Sequence, residues 1–181
     1  MKDAGVLQAN QNTNTGSATS VSVSSSLNAN QRIYISFDLT KCSPAVASTA
    51  TIGLATLRIY VTAVPPTCRT IDLFKNTTAW SEGTIKWSNQ PFGTTLNNPA
   101  SNTASGTLAI GAVSCANTAA NQYYSFTVTS DVGTFVSGGS TNGGWMLRDD
   151  AESNSVVQTM TMSTKDLGTL AQAPQLIVVY S

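Results

Sequence analysis

Residues 32–39, RIYISFDL, and 55–64, ATLRIYVTAV, decide the fold class. In the first, Ile33, Ile35 and Phe37 alternate with Tyr34, Ser36 and Asp38; in the second, Leu57, Ile59 and Val61 alternate with Arg58 and Tyr60. A two-residue period puts successive side chains on opposite faces of a strand, so each stretch has one apolar face and one polar face. Working outward, ATSVSVSSS (18–26) sets Val21 and Val23 against serines, and TIDLFKN (70–76), TIKWS (84–88), TLAIGAV (107–113) and YYSFTV (123–128) continue the pattern. GWMLRDD (144–150), SVVQTMTMST (155–164) and PQLIVVY (174–180) complete about ten short strands separated by turn residues. That spacing predicts an all-β protein, a two-sheet antiparallel β-sandwich of jelly-roll type. Its core would take Ile33, Ile35, Phe37, Leu57, Ile59, Val61, Leu73, Phe126, Val128, Leu176 and Val178.

Only Thr129–Val136, TSDVGTFV, invites a helix, with Thr129 or Ser130 as cap, Val132, Phe135 and Val136 on one side, and Gly-Gly pairs at 138–139 and 143–144 beyond it. The Asn89–Gly106 stretch is long, rich in Pro, Asn and Ser, and has no strand or helix pattern, which marks a surface loop with a purpose. No repeat, linker or composition break interrupts the chain, so its 181 residues are assigned to a single domain, Met1 and Lys2 being read as processing residues.

Ser, Thr and Asn make up 62 of the 181 residues, while 9 basic and 9 acidic side chains cancel. A neutral chain lacks the electrostatic footprint for nucleic acid or an anionic bilayer, and no apolar run is long enough to insert in a membrane. The absence of histidine removes the usual general base, the commonest zinc ligand and the Ser-His-Asp relay. Low charge, abundant hydroxyls and cysteines able to pair suit an extracellular or cell-surface setting. Of the three cysteines, Cys68 and Cys115 are the expected bridge. If the strands before Cys42 and after Thr51 are neighbouring antiparallel arms, Cys42 and Cys68 lie at opposite ends of the sandwich. Bringing them within the roughly 7 Å that a disulfide spans then requires the 41–52 segment, which is long enough to do so, to travel the length of the sheet.

Taken in order, RIYISFDLT (32–40), ATLRIYV (55–61), WSEGTIKWSNQP (80–91), VTSDVGTFVSGGSTNGGWMLRDDAE (128–152), STKD (163–166) and APQLIVVY (173–180) resemble the DNRLRE family of bacterial and archaeal surface proteins. That family is related to carbohydrate-binding modules attached to polysaccharide lyases. The resemblance covers about Asp3 to Tyr180, although the acidic-basic string that names the family is not intact and cysteines are not a general feature of it. It implies a jelly-roll β-sandwich in a secreted or wall-attached protein, accessory to an enzyme or repeated along a stalk.

Trp80, Glu82 and Trp87 have the residue types of a sugar-stacking platform, yet large aromatics mostly serve burial. Glu82 is expected to bond backbone amides and Trp87 to pack under the sheet. Asp149, Asp150 and Glu152 form the one acidic cluster in sequence and would be the candidate ligands if a calcium ion were bound, with Arg148 at hand to neutralise one of them. Asp3, Asp38 and Asp166 are further oxygen donors that nothing in the sequence brings together. No cofactor is otherwise called for. A glycosidase needs two carboxylates flanking the scissile bond, and none of the nine acids is marked as such a pair. Tyr123-Tyr124 lacks any motif around it that would make a lyase base.

Two classes of function remain, neither catalytic. In one, the module holds a polysaccharide on a concave sheet face lined by Tyr34, Arg58 and Tyr60 and by the 89–106 loop. In the other, it is a building block of a stalk, fibre or pilus-like filament whose partner is a copy of itself, joined through an exposed edge strand.

Overall fold

A computed structural model describes residues 1–181. Ten strands form: β1 (Lys2–Leu7), β2 (Ser20–Ser25), β3 (Gln31–Ser36), β4 (Ile52–Ala63), β5 (Arg69–Lys75), β6 (Gly106–Ile110), β7 (Gln122–Thr127), β8 (Trp145–Asp149), β9 (Gln158–Ser163) and β10 (Gln175–Tyr180). One helix, α1 (Thr129–Val136), lies between β7 and β8. All strand pairings are antiparallel, in the continuous order β10-β4-β9-β2-β3-β8-β5-β6, with β1 on β3 and β7 on β4. The sheet is one curled, hydrogen-bonded network. Its sparsest pairing is β2–β3, which share a single residue pair, Ser24 with Gln31.

The main core is a cluster of 23 buried residues on the inside of the curl. It holds the inward sets of β3 (Ile33, Ile35) and β4 (Leu57, Ile59, Val61), with Leu73, Phe126 and Val128; Phe37, Leu176 and Val178 pack at its edge, partly buried. Each fully buried side chain of this size stabilises the fold by about 1.5–3 kcal/mol. Helix α1 adds Val132, Phe135 and Val136 to the same cluster. Thr129 does not cap it. Its hydroxyl instead accepts the Ala55 amide at 3.0 Å, which ties the helix start to β4.

A second cluster of seven buried residues lies on the other side of β3 and β8: Ala4, Val6, Tyr34, Phe74, Ile85, Trp87 and Met146. It exists because residues 80–104 fold over that face. The 84–88 stretch, expected as a strand, is a turn running into a 3₁₀ helix at Trp87–Asn89; Ile85 and Trp87 are anchored by packing, without a ladder. β1, which the apolar pattern does not show, pairs with β3 from Lys2↔Ser36 to Leu7↔Gln31. Asp3 to Val6 are four consecutive buried residues, and a strand covered on both faces loses the alternation that would reveal it. At Gly5 a Cβ would sit 3.3 Å from Val21 Cγ1, so the close approach of β1 to β2 favours glycine.

Cys68 and Cys115 form a disulfide across a sequence separation of 47, a loop for which chain entropy gives about 4 kcal/mol. Cys42 is free and half-buried. No helix is long and apolar enough to cross a membrane.

Candidate functional site

The expected sugar-binding trio does not assemble. Tyr34 points away from the main core, as its period requires, but into the second cluster, where it is fully buried. Its hydroxyl donates to Gln90 Oε1 at 3.0 Å and accepts the Phe92 amide at 3.4 Å. Burial pushes that phenol far above its ordinary value. Tyr34 is therefore a structural anchor for the 89–106 loop.

Arg32 has the same role beside it. Its Nε and Nη2 reach Glu152 Oε1 and Oε2 at 2.7 and 2.8 Å. Nη1 and Nη2 also donate to the carbonyls of Gly93 and Thr95 at 3.0 and 2.7 Å, and the guanidinium lies 4.8 Å over the Trp87 ring. With neither side chain exposed, the fork of donors is saturated by a carboxylate and by loop backbone.

That geometry answers the acidic cluster as well. Glu152 is consumed by Arg32 and by the Asn97 amide at 2.6 Å. Asp149, buried, is held bidentate by Arg69 and accepts the Ala151 amide at 3.0 Å. Asp150 meets the same Arg69 at 3.3 Å, and burial followed by the neighbouring Asp149 raises its pKa. The arginine at hand is Arg69, not Arg148, which donates to the carbonyls of Asp149 and Pro99. The three carboxylates answer to two different arginines and do not converge on one point, so their arrangement is that of ion pairs.

Arg58 and Tyr60, in contrast, stand together on the outer face of β4. The antiparallel register sets Tyr60 opposite Tyr123 of β7 and Arg58 opposite Gln175 of β10. The Tyr60 and Tyr123 rings meet edge to face at 5.2 Å and 82°, and the Arg58 guanidinium lies 4.3 Å over the Tyr123 ring. Arg58 Nη1 donates to Gln175 Oε1 at 3.1 Å. Both tyrosine hydroxyls donate to loop carbonyls, Tyr60 to Asn121 at 2.9 Å and Tyr123 to Ala173 at 2.8 Å, which fixes the rings. The result is a preorganised, half-exposed patch of two aromatic rings, one fixed cation and one amide. Tyr123 belongs to this patch, although the sequence presents it only as a lyase-base candidate beside Tyr124; its place opposite Tyr60 needs the strand register, while the YYSFTV alternation already sets it away from Tyr124 and Phe126.

The patch lies on the outer face of the curl and not on the concave face expected from the sequence; a concave feature elsewhere is a cleft of about 510 Å³ between the 89–106 loop and the start of α1, lined by Phe92, Lys75, Thr103, Ser105, Ser130 and Asp131 among others. Lys75 Nζ lies 4.0 Å from Asp131 Oδ1, and Asp131 Oδ2 accepts the indole N–H of Trp145 at 2.8 Å. Its one partly open ring is Phe92. Trp80 and Trp87 form no platform: Trp87 is buried, and the half-buried Trp80 donates its indole N–H to Gly143 O at 2.8 Å. Glu82 accepts the backbone amide of Asp3 at 2.8 Å.

Residues 1–180 match the model of carbohydrate-binding module family 96. The chain belongs to that family. No curated protein matches it. Membership makes sugar recognition the class of function, and it leaves a family 96 module with two surfaces of the right chemistry. Of these, the β4–β7–β10 patch offers more ring area together with a fixed positive charge.

Proposed function

We propose that this module is a non-catalytic, extracellular domain that holds an acidic polysaccharide across the outer face of β4, β7 and β10. Arg58 meets a carboxylate or sulfate, while Tyr60 and Tyr123 pack against the pyranose rings. The observation that carries the reading is the convergence of Arg58, Tyr60 and Tyr123, three residues from two strands, with their geometry fixed by bonds to Gln175, Asn121 and Ala173. Arginine suits an anionic sugar because its fork matches two oxygens at once. The absence of histidine supports the non-catalytic part, and the disulfide supports an extracellular setting. The resemblance to the DNRLRE surface proteins, and through them to modules of polysaccharide lyases, supports the same role. We read the curled sheet as a single-domain jelly-roll sandwich, a reading supported by the sparse β2–β3 pairing at Ser24–Gln31.

Affinity electrophoresis against a panel of neutral, carboxylated and sulfated polysaccharides tests the proposal. Retardation by an acidic polymer, weakened about tenfold or more in Arg58→Ala and in Tyr123→Ala, is the expected result. Retardation that survives both substitutions and is lost in Lys75→Ala would move the site to the cleft.

A second reading has its own observation. Leu54, Ile177 and Val179 are 47, 47 and 56% exposed on the same outer face, and β10 ends the strand order. Those features support self-association as a fibre or stalk subunit, which a concentration-dependent rise in mass by light scattering would reveal.

A further inference from the structure

Where β1 begins, three acids from distant parts of the chain meet. Asp3 lies in β1, Glu82 in the turn before Trp87, and Asp166 in the 3₁₀ turn Lys165–Leu167. One carboxylate oxygen from each falls within 4.8 Å of the other two. Asp3 is 1% exposed and rigidly held. Its amide donates to Glu82 Oε1 at 2.8 Å, and its Oδ2 accepts the Lys165 amide at 2.9 Å. Its other oxygen, Oδ1, is buried and accepts no hydrogen bond. A buried carboxylate oxygen with nothing to bond is a standing cost in a fold that satisfies most of its polar atoms. Burial pushes the Asp3 carboxyl up to about 6, the charges of Glu82 and Asp166 adding to this and Lys165 opposing it. Against three acids stands one ammonium: Lys165 Nζ is 3.0 Å from Glu82 Oε1 and 2.6 Å from Asp166 Oδ2.

We propose that Asp3, Glu82 and Asp166 form a binding site for a hard divalent cation, calcium in the first place. Every donor in the cluster is a carboxylate oxygen, the ligand type that calcium takes, and no nitrogen or sulfur donor belongs to it. Oxygens sharing one calcium ion at about 2.4 Å are at most about 4.8 Å apart, the spread that this cluster respects. The ion would supply the partner that Asp3 Oδ1 lacks and would clip β1 to the 80–86 turn and to the turn after β9. Lys165 is an internal competitor at the rim of the site, and its ammonium swings out when the ion enters. The site is separate from the sugar-binding patch and does not depend on it.

Isothermal titration of the EDTA-treated, dialysed protein with calcium chloride, paired with thermal melts, tests the site. The wild type should bind one calcium ion, with a Kd on the order of 10⁻⁴ M, and melt higher in its presence. Asp166→Asn, at an exposed position that leaves the fold intact, should weaken binding at least tenfold and abolish the melting shift. Lys165→Met should tighten binding, because it removes the competing charge. No calcium heat in the wild type, or equal binding by wild type and Asp166→Asn, would overturn the proposal.

Discussion

The tripeptide Arg-Ile-Tyr occurs twice, at 32–34 on β3 and at 58–60 on β4, and the two copies have opposite fates. In both, the isoleucine enters the main core and the arginine and tyrosine point to the other side of the sheet. On β4 that side faces solvent, and Arg58 and Tyr60 are half-exposed. On β3 it faces residues 80–104, and Arg32 and Tyr34 are fully buried. The difference lies outside the strands: a long excursion between β5 and β6 covers one copy, whereas the outer face of β4 at Arg58 and Tyr60 is flanked by its sheet neighbours β7 and β10 and carries no such cover. The same residues become a saturated polar anchor in one place and a preorganised binding patch in the other. Local sequence sets which way a side chain points; what it meets there is a tertiary matter.

Substitutions at the two copies should separate them sharply. The largest effect is expected for Arg32→Ala, which strands the buried Glu152 carboxylate and releases the 93–95 backbone, at a cost of about 3–5 kcal/mol in urea unfolding. Replacing Arg32 and Glu152 together by methionine should cost less than Arg32→Ala alone, because no unpaired charge is left behind. Tyr34→Phe removes the hydroxyl that holds Gln90 and should cost about 1–2 kcal/mol, with a looser 89–106 loop seen by amide exchange.

A smaller signal depends on pH. Asp72 sits opposite Arg148 in the β5–β8 register, and burial pushes its carboxyl up to about 6, with Arg148 at 3.8 Å opposing. A carboxyl whose folded pKa lies above its unfolded one binds its proton more tightly when folded. Its contribution is therefore present at low pH and is lost as pH rises from about 4 through about 6. Asp72→Asn should flatten that part of the stability profile relative to wild type. The smallest effects on stability belong to the second copy: Arg58→Ala and Tyr60→Ala should each shift unfolding by no more than about 1 kcal/mol, since neither leaves a buried partner unsatisfied.

How far the sequence could be read follows from the same contrast. The inward sets of β3, β4, β5 and β7, and the helix at 129–136, are legible because alternation and a short 3.6-residue pattern report one apolar face directly. β1 is hidden because Asp3 to Val6 are buried on both sides, and 84–88 misleads because Ile85 and Trp87 alternate for packing without a ladder. At the site, Arg58 and Tyr60 are legible as outward residues. Tyr34 is misread because its covering layer begins about 45 residues downstream of it. The acids at 149–152 look like a metal cluster in one dimension, yet Arg69 and Arg32 reach them from other strands. Asp3, Glu82 and Asp166 look scattered, and the fold brings them together.

Arginine-directed modification with phenylglyoxal, read by peptide mass spectrometry with and without a bound acidic polysaccharide, tests the contrast between the two copies most directly. The account predicts that Arg58 reacts in the free protein and is protected by the polysaccharide, while Arg32 stays unmodified in both states. Modification of Arg32 at the rate of Arg58, or an Arg58 that reacts equally with polysaccharide saturating, would contradict it.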